Sequence, residues 1–312
     1  MNAFLPPKLN LVLKNFALLI ALIPIHLSAQ ELTILVPYAA RSAVDVATRA
    51  LASNMAIKFP SGVRVENKLG ESGLLGLREF AEKSSIDSSL ILLNSNTFLL
   101  AAAKEPRLLE AIRPVSLIAL SPMALISNKP WSSLVAESTS HKSITIGIST
   151  PGSPSHLCAL QIAEAIGVRP NLVVYKGIAP LLVDLIYKKI EYACLEMSAN
   201  VPMWISEGKI SAAAISADEA IDTLPNVPTF ESLGIKNITK GQWSILASLE
   251  KSSAKFNVDS ANAIRVALQG KLNIPNGLFN FVPAEAVSNE NAVNFVQRDF
   301  ARTKPYLSRL VN

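Results

Sequence analysis

Short aliphatic runs alternate with helix-period patterns along this chain, and that alternation limits its fold more than any other feature. Leu32-Thr33-Ile34-Leu35-Val36 reads as a buried strand, and Val44, Ala47, Leu51 and Met55 then recur at helical spacing. Arg64-Val65-Glu66, Leu90 to Leu93, Val115 to Leu120, Ile144 to Ile148 and Leu172 to Tyr175 are further strand candidates, with helical stretches between them. Strands separated by helices of about 10–15 residues predict an α/β fold with mainly parallel pairing. The length of 312 residues allows two lobes. The polar breaks Ser127-Asn128-Lys129-Pro130 and Lys240-Gly241 suit chain crossings between them. The expected division is a leader over 1–29, a discontinuous first lobe over 30–127 and 242–312, and a second lobe over 128–241.

The first thirty residues have the order of a secretory signal. Lys8 and Lys14 precede the apolar run Phe16 to Ile25, and His26-Leu27-Ser28-Ala29 ends on a small residue. Cleavage after Ala29 would start the mature chain at Gln30, in the periplasm. That run is too short to span a bilayer, which takes about 20 apolar residues. The formal charge of +5 includes the two leader lysines, so the mature chain is weakly basic and argues against a nucleic-acid partner. Three histidines and two cysteines leave no basis for a metal site or a disulfide framework. Cys158 and Cys194 are expected as separately buried apolar thiols, although an oxidising compartment keeps their pairing open.

Catalytic signatures are missing. There is no GxGxxG, Walker A loop, HExxH, CxxC or GxSxG. Ser149 and His156 are close in sequence, but a Ser/His pair also needs an orienting acid and an oxyanion hole. No enzyme activity and no cofactor are implied.

Two helix starts look suited to an anion. In Tyr38-Ala39-Ala40-Arg41-Ser42, Ser42 is a candidate N-cap with Asp45 as its capping-box acid, and Arg41 offers a bidentate fork for a carboxylate. The alternative is a capped surface helix with a solvated arginine. In Ser149-Thr150-Pro151-Gly152-Ser153-Pro154-Ser155-His156, Ser153 reads as N-cap, Pro154 as N1 and Gly167 as the helix stop. Its hydroxyls either cradle a ligand or merely cap and turn. A third loop, Asn94-Ser95-Asn96-Thr97, suits a turn or ligand hydrogen bonds. Ligands of open α/β sheets bind beyond the carboxyl ends of strands, so these loops are expected to face one cleft.

At this point the motifs resemble those of the Bug receptors, the periplasmic solute-binding proteins of tripartite tricarboxylate transporters. The family opening VPFPPGG-x-x-D-x-x-AR is represented by Val36 to Arg49, and VEN-R-P-G-A-G-G by Val65 to Gly73. Pro114 to Ala119, Ser149 to His156, Val173-Val174-Tyr175-Lys176-Gly177, Pro225-Asn226-Val227-Pro228-Thr229 and Trp243 follow in the family order. The likeness runs from about Leu32 to Leu268. It implies a type II periplasmic-binding fold: two α/β lobes, a cleft and crossing hinge strands that close over a small organic carboxylate. It also implies a membrane permease of the tripartite type as partner, or a sensor kinase in its place, with the chain acting as a monomer.

The implied ligand positions are Tyr38, Ala39, Arg41, Ser42, Ser95, Asn96, Thr97, Ser149, Thr150, Ser153 and His156. Departures from the family pattern are Arg41 and Ser42 in place of paired glycines, the glycine-poor Gly70–Gly73 loop, and Leu195-Glu196 in place of Phe-Asp. Glu196 would select a ligand amine or narrow the pocket. A degenerate member with altered or lost binding is the other alternative.

Overall fold

β1 (Leu32–Val36) has all five residues buried, as expected for an aliphatic strand covered on both faces. It pairs in parallel with β2 (Val63–Asn67) and with β3 (Ser89–Asn94). β10 (Gln242–Leu249) then runs antiparallel between β3 and β4 (Ile112–Ser121). The first sheet therefore has the order β2-β1-β3-β10-β4. A second sheet repeats the pattern as β7-β6-β8-β5-β9. Its strands are β5 (Met123–Ile126), β6 (Ser143–Ile148), β7 (Arg169–Val174), β8 (Tyr192–Glu196) and β9 (Ala212–Ile215). This computed structural model describes residues 31–311 apart from 85, 128, 141–142, 198–200, 218–223 and 275–278. The expected leader lies outside the described residues. Among the described residues no helix is long and apolar enough to cross a membrane.

Side-chain alternation along the strands splits the first core in two. Ile34, Leu92 and Leu246 face α1 (Ala43–Met55) and α9 (Ala254–Gln269), meeting Leu51, Met55 and Ile264. Leu35, Ile91 and Ile245 face the other way, onto α2 (Leu74–Ala81), α3 (Ser95–Lys104) and α10 (Asn289–Thr303). The second sheet is covered likewise. Ile146 and Cys194 face α6 (Pro154–Ala165), and Ala193 and Leu195 face α7 (Ile178–Ile186).

Pairing is half parallel rather than mainly parallel. In each sheet the fourth strand, β10 or β5, is the first laid down after the chain arrives from the other sheet, and it enters against the direction of its neighbours. Strand patterns carry no sign of this, because direction is set by a long-range crossing. The first crossing also falls earlier than the sequence break suggests. β5 already belongs to the second sheet, so the chain crosses at Pro122 rather than at Ser127–Pro130.

The return crossing ends at Gly241, directly against the outgoing one. Gly241 has φ 130°, and a Cβ there would sit 2.1 Å from the Ser121 carbonyl oxygen. Only glycine lets these two segments touch. A third link is α11 (Leu307–Val311), whose Leu310 packs with Leu99 of α3 and with Leu157 and Leu160 of α6. The C-terminal segment, expected to belong to the first lobe alone, thus also contacts helix α6 of the second.

The two cysteines are buried, but not apart. Cys158 on α6 and Cys194 on β8 are fully buried with sulfurs 2.7 Å from each other. Their separation of 36 residues hid this contact from any local reading.

Candidate functional site

The first-sheet residues gather at the carboxyl ends of β1 and β3. The Tyr38 hydroxyl lies 2.8 Å from Thr97 Oγ1 and accepts the Asn94 amide at 3.0 Å. Thr97 Oγ1 in turn donates to the Ser72 carbonyl. Three loops are thereby tied to one another by two hydroxyls. Burial pushes the Tyr38 phenol up to about 12, against the opposing effect of its bonds to Thr97 and Asn94. It stays protonated at neutral pH.

The third predicted loop is a helix start. Asn94 is the N-cap of α3 and accepts the Thr97 amide through its side chain. That satisfies one of the four amides a helix start leaves open, so the positive end of α3 still points outward beyond the strands. Ser95 is buried and donates to Gln242 Oε1 at 2.9 Å, which links it to the returning strand rather than to open space. Asn96 is exposed, and its side chain bonds no other described residue.

The first loop meets half of the capping expectation: Ser42 caps, but the capping box does not close, because the Ser42 amide donates to the Ala39 carbonyl and the Asp45 carboxylate takes the preceding amide instead. Ser42 is the N-cap of α1 and accepts the Asp45 amide. The buried Asp45 carboxylate accepts from the Arg41 amide at 2.7 Å, from Arg49 Nε and from Asn67 Nδ2. Burial alone would raise its pKa, but these hydrogen bonds, led by that of Arg49, hold it below the ordinary value. Its charge is therefore spent inside the fold and does not oppose an anion nearby.

Arg41 adopts φ 66°, the left-handed conformation that the family glycine would take freely. A non-glycine residue there costs roughly 1–2 kcal/mol. Its amide is committed to Asp45, while its guanidinium is exposed and bonds no described residue. Position 41 therefore presents an exposed cation where the family pattern has glycine.

A cavity of about 380 Å³ lies between these loops. It is lined by Tyr38, Ala39, Asn94, Asn96 and Thr97 from two of the predicted loops, together with Leu69 to Gly73. Sequence reasoning noted the Gly70–Gly73 loop as a departure but did not place it in the site. All four of its residues have positive φ, including Glu71 at 50° and Ser72 at 54°. Arg78 grips the Glu71 carboxylate through two bonds and also bonds Glu105. Those contacts hold the strained turn and cancel the Glu71 charge facing the cavity.

The second-sheet residues are organised differently. Ser153 is the N-cap of α6 with Pro154 at N1, as expected, and Gly167 follows its end with φ 73°. Thr150 Oγ1 donates to the Ser149 carbonyl, and Ser153 Oγ donates to the Thr150 carbonyl. Ser155, within the expected loop, anchors the turn. Its buried hydroxyl accepts from the Ser149 amide and donates to the Cys194 carbonyl at 2.5 Å. His156 accepts the Gly152 amide on Nδ1, which leaves its ring proton on Nε2. Burial, and then the Arg309 charge, lower its pKa. Glu196 ends β8 with no hydrogen bond to a described residue, and burial raises its pKa.

Arg41, Ser42 and Ser95 of the first lobe, and Ser149, Thr150, Ser153, His156 and Glu196 of the second, do not line the 380 Å³ cavity. The helices behind the two groups do meet, through Leu99, Leu157 and Leu310. A larger cavity of about 510 Å³ sits at the amino ends of β6 and β8. Its Lys129 is already bonded to Glu137 and Glu191, and ligands favour the opposite strand ends. Among the described residues no cluster of metal-ligating side chains occurs.

The sequence profile of the tripartite tricarboxylate transporter family receptor matches residues 47–311. The chain belongs to that receptor family. It is a solute-binding receptor, not an enzyme. A protein encoded in the TAR-I ttuE-ttuC' intergenic region of Agrobacterium vitis is 30% identical over 256 residues, 79% of this chain and 73% of its own. The TctC solute-binding protein from Polaromonas, solved without ligand, superposes with a TM-score of 0.78 at 22% identity, over 91% of this chain and all of its own. MatC from Rhodopseudomonas palustris, solved with bound malate, does so with a TM-score of 0.64 at 22% identity, over 91% and 100% of the two chains. The two-lobed receptor fold implied by the motifs is the fold of this protein.

Proposed function

We propose that this receptor is exported to the periplasm, captures a small organic carboxylate at the carboxyl ends of its strands, and delivers it to a tripartite tricarboxylate-type permease. The single observation that carries the reading is the pre-formed cavity whose walls are fixed by the Tyr38–Thr97–Ser72 bonds, with the start of α3 beside it. Malate in the related MatC structure supports the choice of ligand class.

In this reading Tyr38 packs over the ligand, Ala39 and Asn96 face it, and Ser95 and Thr97 set the α3 amides around one carboxylate. Arg41 supplies the pairing charge, and Ser42 shapes the turn that presents it. The lobes close about the joint where Ser121 meets Gly241, and closure brings Ser149, Thr150, Ser153, His156 and Glu196 to the ligand's far end. Glu196, half-buried and without a hydrogen-bond partner among the described residues, suits a donor group there, such as a ligand amine or hydroxyl.

The test is thermal unfolding of the chain from Gln30, first unfolded and refolded to strip host ligand, against dicarboxylates, tricarboxylates, aromatic acids and acidic amino acids. A ligand at 100 times its dissociation constant adds about 2.7 kcal/mol to the folded state. A midpoint rise confined to one acidic class is expected. A flat response to every acid would overturn the proposal and leave a degenerate receptor.

A further inference from the structure

Cys158 and Cys194 are the only cysteines of the chain, and the fold brings them together. Two independent contacts fix their register. Ser155 and Cys158 lie one turn apart on the same face of α6. The Ser155 hydroxyl bonds the Cys194 carbonyl at 2.5 Å, while the Cys158 sulfur lies 2.7 Å from the Cys194 sulfur. Helix and strand are therefore held in alignment by a bond that does not involve sulfur. Both thiols are completely buried, and no third cysteine competes for either.

We infer that Cys158 and Cys194 form a disulfide in the exported protein, clamping the second turn of α6 to the middle of β8. The inference rests on the export reading for its oxidant, a disulfide-bearing donor of the secretory compartment. The donor's S–S bond breaks, the Cys158–Cys194 bond forms, and two electrons and two protons leave this chain for the donor, which departs as a dithiol. Burial pushes the Cys194 thiol up, so exchange belongs to the folding chain, before α6 covers β8. The bond lies between the two second-lobe elements proposed to meet the ligand, the Ser149–Ser153 turn and Glu196. Its effect is to hold that surface in one shape.

The experiment has two arms. One exports the chain with its own leader into an oxidising periplasm. The other refolds the chain from Gln30 out of denaturant in glutathione redox buffer. Each product is denatured without reductant, alkylated and weighed. The expected product in both arms is unalkylated, two hydrogens lighter than the reduced chain, and linked between the peptides that contain Cys158 and Cys194. Reduction should lower the unfolding midpoint by several degrees, and the Cys158→Ala/Cys194→Ala double variant should lose that response. Two alkylated cysteines, or a glutathione adduct, in the refolding arm would overturn the inference. A disulfide in the refolding arm with free thiols after export would uphold the pairing and overturn the export reading.

Discussion

The two sets of strand-end loops are built from similar residues and put them to different use. In the first lobe, hydroxyls reach between segments: Tyr38 to Thr97, and Thr97 to Ser72. These bonds leave a cavity standing between the loops. In the second lobe, Thr150 and Ser153 satisfy carbonyls within their own turn, and Ser155 alone reaches out, to Cys194. A hydroxyl that spans segments shapes a container, while one that caps its own turn shapes a lid. In the proposed function, capture belongs to the first lobe and enclosure to the second.

The largest effect should come from the joint that serves both. Gly241→Ala puts a methyl group against the Ser121 carbonyl and should destabilise the protein by about 3 kcal/mol in denaturant unfolding. An unchanged midpoint would mean that the crossing strands part at no cost. Next is Tyr38→Phe, which strips the Asn94 amide of its acceptor and Thr97 of its partner. It should cost about 2 kcal/mol and also weaken ligand binding. Loss of stability with intact affinity would break the assignment of capture to this lobe.

Arg41→Ala keeps the left-handed strain and removes only the cation, so it isolates charge pairing. Carboxylate affinity should fall about tenfold, or 1.4 kcal/mol, in calorimetric titration. Equal affinities would show that helix amides suffice. Ser153→Ala removes an N-cap and should cost about 1 kcal/mol in the unfolding midpoint, with or without ligand.

The smallest effect is a pH dependence. His156 has a folded pKa below 6.5, so the unfolded chain binds more protons than the folded one between that lowered value and 6.5. Stability is therefore lost as pH falls below 6.5. Asp45 acts in the same direction only below its unfolded value of 3.8. Mild acid should loosen the second lobe first, seen as faster amide exchange in α6 than in α1, and His156→Gln should remove that difference. Glu196 works oppositely: its raised pKa favours the fold in acid and costs stability as pH climbs from 4.5 through the folded value.

The features legible in the sequence were those decided within one helical turn. Ser42 as N-cap, Ser153 with Pro154, and Gly167 follow the sequence reading because caps and stops depend on neighbours, whereas Asp45 takes the Arg41 amide rather than closing a box on Ser42. The motif order identified the family, since seven modest signals in sequence constrain more than any one. What stayed hidden was set by distant partners. Tyr38 meets Thr97 across 59 positions, and Ser155 meets Cys194 across 39. The strained Gly70–Gly73 turn depends on Arg78, whose grip on Glu71 no local rule announces. Strand direction at β5 and β10 follows from the crossings, which also moved the first lobe boundary to Pro122.

The most direct measurement is a crystal structure of the refolded receptor with the carboxylate that raises its midpoint most. The ligand should lie against Tyr38, Ala39 and Asn96, with Arg41 turned toward one carboxylate and the Ser149–Ser153 turn brought over it. A ligand seated instead in the cavity beside Lys129, Lys189 and Glu191, or bound with Arg41 still pointing to solvent, would contradict capture by the first lobe.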